Sequence, residues 1–343
     1  MPSLKRSYKA VRFCLFDAVR ARALQRPLWV HFYLTRRCNL NCAYCSVKDN
    51  TKKDISIDEV KKIVDRLYTL GVRALAFFGG EPTLRMDFCE ILKYADKKGF
   101  LTFFTTNGTL LNEKYIKEIA ETGVDYIELS IDSIFSHEYT KKDYARSKRI
   151  MDLLIKYRDE YGFILKTHTV LTNKNIDTVI ETIKKIDDEY KIPLTVGYVC
   201  RSVDMTTPDD ESLFFNSEES KRKLVKVVDQ IIELKKNGAK FMDPYSYFEN
   251  MKKFVYGKLD WHCMAGKYSF SVDYDGSVQL CNGMKPFDAN VFSIDKDFFK
   301  KKKDEIEKTK AWCTKICFST CHNTTTHMID HPVDSMISHY KNL

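Results

Sequence analysis

The sequence lacks any run of about 18 consecutive apolar residues, the length that a membrane-spanning helix requires. It also lacks an internal repeat, a long low-complexity segment and a signal peptide, which argues against a repeat protein, a disordered chain and a secreted disulfide scaffold. The 11 cysteines are therefore expected to bind metal in a reducing, oxygen-poor compartment. We expect a cytoplasmic protein.

Length and composition allow one large domain or two. The chain has 343 residues, of which 44% are hydrophobic and 13% aromatic, enough for a packed core. The charged stretches 221–226 and 300–304 are interpreted as solvated helix surface.

Strand-like and helix-like segments alternate from residue 28 to about residue 200. The predicted strands are Trp29–Leu34, Arg73–Phe78, Leu101–Thr105, Tyr126–Ile131, Ile164–Leu171 and Leu194–Val199. The predicted helices between them are Ile57–Leu70, Phe88–Lys97, Glu113–Glu121, Lys148–Tyr157 and Ile176–Asp188. This alternation predicts an α/β fold with a parallel sheet, whose ligands bind where the strands end.

Three cysteines stand close together just after the first predicted strand. Cys38, Cys42 and Cys45 have the spacing Cys-x3-Cys-x2-Cys. A short loop brings three thiolates to one iron–sulfur cluster and leaves one iron open for a small molecule. A zinc loop and reduced structural thiols are the alternatives, although structural zinc sites usually complete four ligands with paired spacings.

This segment resembles the radical S-adenosylmethionine (SAM) superfamily, and Tyr44 matches the aromatic residue that usually precedes the last cysteine. The resemblance implies an open, partial (β/α)6 TIM-like barrel and a [4Fe–4S] cluster whose open iron binds SAM. Reduction of that cluster cleaves SAM to a 5′-deoxyadenosyl radical, which abstracts hydrogen from the substrate.

Three further strand-end segments extend the resemblance. They are Gly79-Gly80-Glu81-Pro82, the segment 105–108 with Thr106 and Asn107, and the segment 130–132 with Ser130 and Asp132. The two glycines are expected to let the backbone approach a ligand, and Glu81 is expected to accept a hydrogen bond from a cationic amino group. By resemblance, the other two segments hold the ribose and methionyl parts of SAM; taken alone, each is a strand-end turn.

A cation for the SAM carboxylate is less clearly marked. Many relatives carry Arg about a dozen residues after the Ser of the third segment, where this chain has Lys142, with Arg146 one helical turn later. We predict Lys142, and a solvated helix charge is the alternative for either residue.

Cysteines return in a second pattern after a polar stretch, 201–220, and a predicted helix, Arg222–Lys236. Cys263 is followed by twelve residues, Gly276, four residues and Cys281. Tyr268–Tyr274 and Ser277–Leu280 are predicted to form a hairpin that turns at Asp275-Gly276 and brings the two cysteines together. The pattern resembles the start of the SPASM and twitch auxiliary-cluster domains.

The following cysteines depart from the SPASM pattern. Cys313, Cys317 and Cys321 recur at every fourth position, which suits one helical face unless cluster binding breaks the helix. Five thiolates complete one [4Fe–4S] cluster and leave one over, so we expect a single auxiliary cluster bound by Cys263, Cys281 and two of the last three. Alternatives are a second, incomplete cluster with His322 or His327, and buried thiols. Cys14, Cys89 and Cys200 are predicted to be core residues.

The first 26 residues carry seven cations against Asp17, six of the chain's nine net positive charges. Leu4, Tyr8, Val11, Leu15 and Val19 lie on one side of a predicted helix, beside Lys5, Lys9 and Arg12. Two interpretations stay open: a helix on an anionic membrane surface, or a helix packed across the open end of the barrel with its basic face in water. Nucleic acid is not an expected partner, because the charge sits in one short arm.

The resemblance implies a radical SAM enzyme with an auxiliary cluster. The substrate is a lipid or isoprenoid, another small molecule or a peptide, and the electron comes from a partner such as ferredoxin or flavodoxin. Only about 28 residues precede the first strand, which leaves no room for the peptide-binding domain of many SPASM relatives. The alternatives are a non-catalytic iron–sulfur electron carrier or scaffold and a zinc-dependent binding module.

We predict three regions: a basic amphipathic segment, 1–27; a radical SAM partial barrel, 28–240; and an auxiliary-cluster domain, 241–343. Four residues are candidate substrate contacts inside the barrel, with packing or the cofactor shell as the alternative for each: Tyr33, His168, Tyr198 and Arg201. No catalytic residue is assigned beyond the cluster ligands.

Overall fold

The computed structural model describes residues 8–199, 201, 210–259 and 261–331. Predictions for Leu4, Lys5, Cys200 and the side chain of His327 lie outside this description. None of the helices in these ranges is both long and apolar enough to cross a membrane.

Eight strands form one sheet in the order β6-β5-β4-β3-β2-β1-β7-β8. Their bounds are Trp29–Tyr33 (β1), Ala74–Phe78 (β2), Leu101–Thr106 (β3), Tyr126–Ser130 (β4), Ile164–Leu171 (β5), Leu194–Tyr198 (β6), Ser269–Val272 (β7) and Val278–Gln279 (β8). The neighbours from β6 to β7 are all parallel, and β8 is antiparallel to β7. The predicted α/β class, with six parallel strands as a partial barrel, is confirmed.

Helices connect the parallel strands, and three more follow β8. Their bounds are Ile57–Leu70, Phe88–Lys98, Glu113–Ala120, Tyr144–Tyr161, Val179–Tyr190, Glu218–Lys236, Tyr245–Phe254, Phe298–Lys301, Lys303–Cys313 and Thr320–Asp330. The helix predicted from residue 148 begins earlier, because Asp143 caps it by accepting from the Arg146 amide. The helix predicted from Ile176 begins at Val179 instead, because Asn175 holds the preceding turn through the Thr172 amide.

Alternation along the strands separates two faces of the sheet. Val30, Phe32 and Phe77 are completely buried and pack in the core on the helix side. Trp29, His31 and Tyr33 alternate with them and line a cavity on the inner face. The inner face is therefore the one available to a ligand.

A helical segment at the chain start closes the amino-terminal end of the barrel. It includes the π-helix Phe13–Asp17 and the α-helix Ala18–Leu24. Its residues Phe13, Cys14, Ala18 and Ala21 share one buried cluster with the first residues of five barrel strands and with Tyr268 and Ile329. We name the segment 8–24 the closing helix.

The closing helix differs from one expectation, namely that its basic face lies in water. The ammonium of Lys9 lies 2.5 Å from Asp125 and 2.9 Å from Asp96, and it also donates to the Phe100 carbonyl oxygen. Lys9 is buried, so the basic face is not wholly in water. The helix does pack across the barrel end, but through Ala10, Phe13, Cys14 and Ala18 and not through the predicted apolar stripe.

The cysteine-rich region joins the barrel through the sheet itself. Strand β7 pairs with β1 in parallel register from Trp29↔Ser269 to Phe32↔Val272. The predicted hairpin is confirmed: β7 and β8 pair around Gly276, whose φ of 83° needs glycine. The boundary at residue 240 stays a prediction.

Candidate functional site

A cavity of about 350 Å³ opens where the barrel strands end and extends down the inner face of the sheet. Cys38, Cys42 and Cys45 line its mouth. Seven other predicted site residues line it as well: Gly79, Gly80, Glu81, Thr106, Asn107, Ser130 and Lys142. The structure therefore brings most of the predicted site residues to one place; Tyr44, Pro82 and Asp132 support it from outside the lining.

Hydrogen bonds fix the cysteine loop at both ends. The Cys38 amide donates to the Asn50 side chain at 2.9 Å, whose own amide donates back to the Cys38 carbonyl oxygen. The Cys45 amide donates to the Cys42 carbonyl oxygen at 3.0 Å, which makes a tight turn. Burial raises the pKa of Cys38, despite the Leu40 amide that donates to its sulfur.

Gly79 and Gly80 serve a purpose that the sequence did not reveal. A Cβ on Gly79 would lie 2.5 Å from the Thr35 carbonyl oxygen, and one on Gly80 would lie 2.2 Å from that of Arg37. Instead, the amides of Gly80 and Glu81 donate to these two oxygens at 2.8 Å. The glycines thus allow this segment to approach the cysteine loop, and they also line the cavity, so their expected approach to a ligand stays a prediction.

Glu81 is buried and joins two of the strand-end segments. Its Oε1 accepts from the Thr83 hydroxyl at 2.6 Å and from the Thr106 hydroxyl at 2.7 Å, and its Oε2 accepts from the Asn107 amide at 2.8 Å. Burial raises the pKa of this carboxyl, and these donors oppose the rise. Glu81 therefore organises the site in addition to lining it.

Asp132 plays the corresponding part on the other side of the cysteine loop. Its carboxylate accepts from the Tyr44 hydroxyl, from Thr140 at 3.1 Å and from the Val170 amide at 3.0 Å. Thr140, which sequence reasoning missed, also lies 3.7 Å from the Cys42 sulfur. Tyr44 and Asp132 thus hold the loop against β4 and β5.

The two candidate cations occupy different environments. Lys142 lines the cavity, with its ammonium 5.4 Å from the centre of the Tyr44 ring. Burial disfavours the charged form of Lys142, but Asp132 and the three motif thiols outweigh it and raise its pKa. Arg146 has a side chain that is 60% exposed beside Asp143. The geometry favours Lys142.

The deeper half of the cavity contains an ion pair that the sequence analysis did not select. The carboxylate of Glu128 lies 2.5 Å from the ammonium of Lys166, at paired positions on β4 and β5. Thr105 donates to it at 2.8 Å, and Thr195 links it to His168 at 3.0 Å. The sequence signal that could have identified this ion pair is the presence of charged residues within otherwise apolar predicted strands.

Aromatic rings form another wall of the deep half. Phe103 stacks on Tyr126 at 4.2 Å and packs against Trp29 at 4.4 Å between ring centres. His31 meets His322 edge-on at 5.2 Å. Burial lowers the pKa of both histidines, that of His322 to about 4, so both are neutral at pH 7.

Of the four candidate substrate contacts, two line the cavity and two do not. Tyr33 and His168 line the cavity. Tyr198 instead packs against Phe215 and Phe254, and Arg201 pairs with Glu211 at 2.5 Å. Neither of these two residues lines the cavity, so packing is the outcome for Tyr198 and an ion pair for Arg201.

The last three cysteines do not share one helix face. One helix ends at Cys313, a turn holds Cys317, and the next helix places Cys321 in its first turn. The Trp261 indole fixes the turn by donating to the carbonyl oxygens of Thr314 and Cys317 at 3.1 and 2.9 Å.

Four of the last five cysteines are electrostatic neighbours around Cys281, and the fifth borders the large cavity. Burial raises the pKa of Cys281 well above its ordinary value, and the thiols of Cys317, Cys263 and Cys313 add to this rise. Cys321 also lines the large cavity, where burial, Glu128 and, to a smaller extent, the Cys317 thiol raise its pKa to about 12. In the described ranges, no three Cys, His, Asp or Glu side chains are close enough to hold a single metal ion.

Cys14 is buried in the barrel and Cys89 is partly buried beside the outer core. Burial raises the pKa of each thiol to about 11. Cys14 agrees with the prediction of a buried core cysteine, whereas Cys89 is only partly buried; neither lines the cavity.

Residues 32–186 match the sequence model of the radical SAM superfamily. The Fe-coproporphyrin III synthase of Methanosarcina barkeri is 39% identical over 104 residues, which make up 29% of this chain and 26% of that protein. The PqqA peptide cyclase of Bradyrhizobium diazoefficiens is 36% identical over 111 residues, or 32% of this chain and 29% of that protein. The chain thus spans less than a third of the length of these two curated relatives.

Solved structures resemble the chain over a larger part of its length. Native anSMEcpe with bound AdoMet has a TM-score of 0.62 and 18% identity, with 92% of this chain and 96% of that chain covered. The same protein with AdoMet and the Kp18Cys peptide has a TM-score of 0.61, 18% identity and coverages of 92% and 100%. At this identity the likeness concerns the fold.

Proposed function

We propose that the chain is a radical SAM enzyme that reductively cleaves SAM and abstracts hydrogen from a substrate, since residues 32–186 match the sequence model of that superfamily. The observation that carries this proposal is the shared cavity. Three motif thiols, the strand-end segments and Lys142 line its mouth, and the same space continues into the barrel.

The residues that line the cavity fit both a [4Fe–4S] cluster and SAM. Three thiols are the donor set expected for a [4Fe–4S] cluster with one open iron. When bound, the cluster and SAM supply the 5′-deoxyadenosyl radical. We assign Lys142 to the SAM carboxylate, and Glu81 and Ser130, whose oxygens can accept hydrogen bonds, to its amino and hydroxyl groups; all three residues line the cavity.

The deep half of the cavity would receive the reacting part of the substrate. Its aromatic wall excludes water and suits an apolar group, and the Glu128–Lys166 pair provides a polar contact. The cavity of about 350 Å³ must hold SAM as well as the reacting part of the substrate. The limited space favours a small molecule or a single peptide side chain as the substrate group over a whole macrocyclic molecule. The peptide bound to anSMEcpe and the similarity to the PqqA peptide cyclase support the peptide class.

We assign one auxiliary [4Fe–4S] cluster to Cys263, Cys281, Cys313 and Cys317. These four thiols are electrostatic neighbours of one another through Cys281, whereas Cys321 lines the substrate cavity. The fifth cysteine is therefore the one left over.

Two partners complete the proposal. The cluster requires a one-electron donor such as ferredoxin or flavodoxin. The basic closing helix is assigned a peripheral membrane contact, supported by its exposed apolar and cationic side chains.

The test is anaerobic reconstitution with iron and sulfide, followed by SAM and a strong reductant, with 5′-deoxyadenosine measured by mass spectrometry. Wild-type protein is expected to release it, and the triple variant of Cys38, Cys42 and Cys45 to Ala is expected to release none and to lose about four irons per chain. Cys89→Ala, a cysteine outside both patterns, serves as the matched control and should behave like wild type.

Other outcomes separate the alternatives. Retention of SAM cleavage by the triple variant would refute the assigned cluster. A brown protein that binds no SAM would favour an iron–sulfur electron carrier or scaffold, and a colourless protein with zinc would favour the zinc-dependent module.

A further inference from the structure

The outer face of the closing helix exposes large apolar side chains. Phe16 is 68% exposed, Tyr8 is 66% exposed and Val19 is 53% exposed, with Leu15 beside them. Most of the predicted apolar stripe therefore faces outward, because the π-helical turn Phe13–Asp17 and smaller residues supply the buried face. We name Tyr8, Leu15, Phe16 and Val19 the outer stripe.

Cations accompany the outer stripe. Arg20 is exposed one residue after Val19, and the side chain of Arg22 is 49% exposed near Asp330. Arg12 and Arg26 are more covered and pair with Asp17 and Asp297. The exposed charge beside the apolar side chains is thus cationic.

A second cavity, of about 90 Å³, lies just beyond the end of this helix, where Gln25 forms part of its wall. Its charged lining consists of Lys267, Lys300, Lys303, Lys310 and Glu307. Lysines around a small opening suit a phosphate group. This basic pocket continues the cationic surface from the helix into the C-terminal region.

We infer that the outer stripe docks on an anionic lipid bilayer, with the basic pocket receiving a lipid phosphate. Protruding apolar side chains flanked by arginines match the interface between acyl chains and anionic headgroups. This inference rests on the membrane partner in the proposed function and is independent of its chemistry.

Docking would also fix the orientation of the enzyme. The closing helix packs on the first residues of the barrel strands, whereas the motif cysteines lie beyond the last residues. The mouth of the large cavity would then face away from the bilayer. The membrane would hold the enzyme in place without presenting lipid to the site.

The experiment is sedimentation of the full chain with vesicles of phosphatidylcholine alone or mixed with equal phosphatidylglycerol. Wild type should sediment with the mixed vesicles, and added salt should weaken this binding. Phe16→Ser with Val19→Ser should lower the partition coefficient roughly 10-fold or more. Arg20→Gln with Arg22→Gln should lower it about 25-fold, since each cation contributes about 5-fold.

Phe135 provides the matched control, because it is 67% exposed in the loop after β4, at the opposite end of the barrel. Phe135→Ser should sediment like wild type. Circular dichroism melting should show that the outward-facing variants remain folded.

Three results would overturn the inference: wild type that does not sediment with anionic vesicles, stripe variants that bind unchanged, or an equal loss in Phe135→Ser. A dimer in light scattering that dissociates in the stripe variants would identify a second copy as the occupant instead. SAM cleavage is assayed without vesicles, so failure of docking and failure of the chemistry are distinguishable.

Discussion

Replacement of Lys9 by Met is expected to destabilise the protein strongly. The Lys9 ammonium has three acceptors: Asp125 at 2.5 Å, Asp96 at 2.9 Å and the Phe100 carbonyl oxygen at 3.2 Å. Its side chain is 4% exposed, and those of the two aspartates are 10% and 1% exposed. Methionine fills a similar volume but removes this cation from both carboxylates.

The expected loss follows from the burial of the charges. Removing one partner of a buried ion pair costs about 3–5 kcal/mol, because the remaining charge stays desolvated. Scaled by the usual entropy of unfolding per residue, this lowers the Tm of a chain of this length by about 4–7 °C. The closing helix should also become more accessible to proteases, since Lys9 joins it to the barrel.

The assay compares melting temperatures by circular dichroism and cleavage by trypsin within the closing helix. Arg20→Met is the matched control, because Arg20 is exposed on the same helix, and it should change the Tm little. Asp96→Asn added to Lys9→Met should restore part of the loss by removing one of these carboxylates. Equal melting temperatures for Lys9→Met and Arg20→Met would refute the argument.

Two other predictions concern the cavity. Lys142→Met should weaken SAM binding to the reconstituted protein about 10- to 100-fold in equilibrium dialysis, because a charge-assisted bond is lost, whereas Arg146→Met should leave it unchanged. Glu128→Gln should alter the pH dependence of urea unfolding: burial opposes the charged form of Glu128, but Lys166 and His168 lower its pKa from 4.5 to about 2. That carboxylate therefore stabilises the fold above about pH 4.5 and loses about 3 kcal/mol as the pH falls towards 2.

Each of these two predictions has a result that would contradict it. If Arg146→Met weakens SAM binding as much as Lys142→Met does, the cation has been assigned wrongly. If the stability of Glu128→Gln changes with acid in parallel with wild type, the Glu128–Lys166 pair does not contribute as described.

Local patterns predicted the strands closely. The predicted strand Ile164–Leu171 is observed with the same bounds, and the other five barrel strands differ by one residue at one end. Apolar residues at alternate positions, followed by a polar turn, specify such strands, because the face that packs on the helices must be apolar. Helix starts were less predictable, since they depend on caps such as Asp143.

The surroundings of individual side chains could not be predicted without the tertiary structure. Helical periodicity identified an apolar stripe on the closing helix but could not tell which face the barrel would cover. The barrel covers the face of Ala10, Phe13, Cys14 and Ala18, whose packing against the strand starts also buries Lys9. Equally, the spacing of the cysteines could not show that Cys317 would lie between two helices and Cys321 within the second one.

The sequence alone determined the α/β order and the meeting of the three thiols with the strand-end segments, because chain direction in a parallel sheet gathers those ends at one rim. Only the tertiary structure decided which charges meet across strands. Glu128 and Lys166 lie far apart in the chain and become neighbours through the pairing of β4 with β5. Strand register, which depends on the packing of the whole barrel, placed that pair within the cavity.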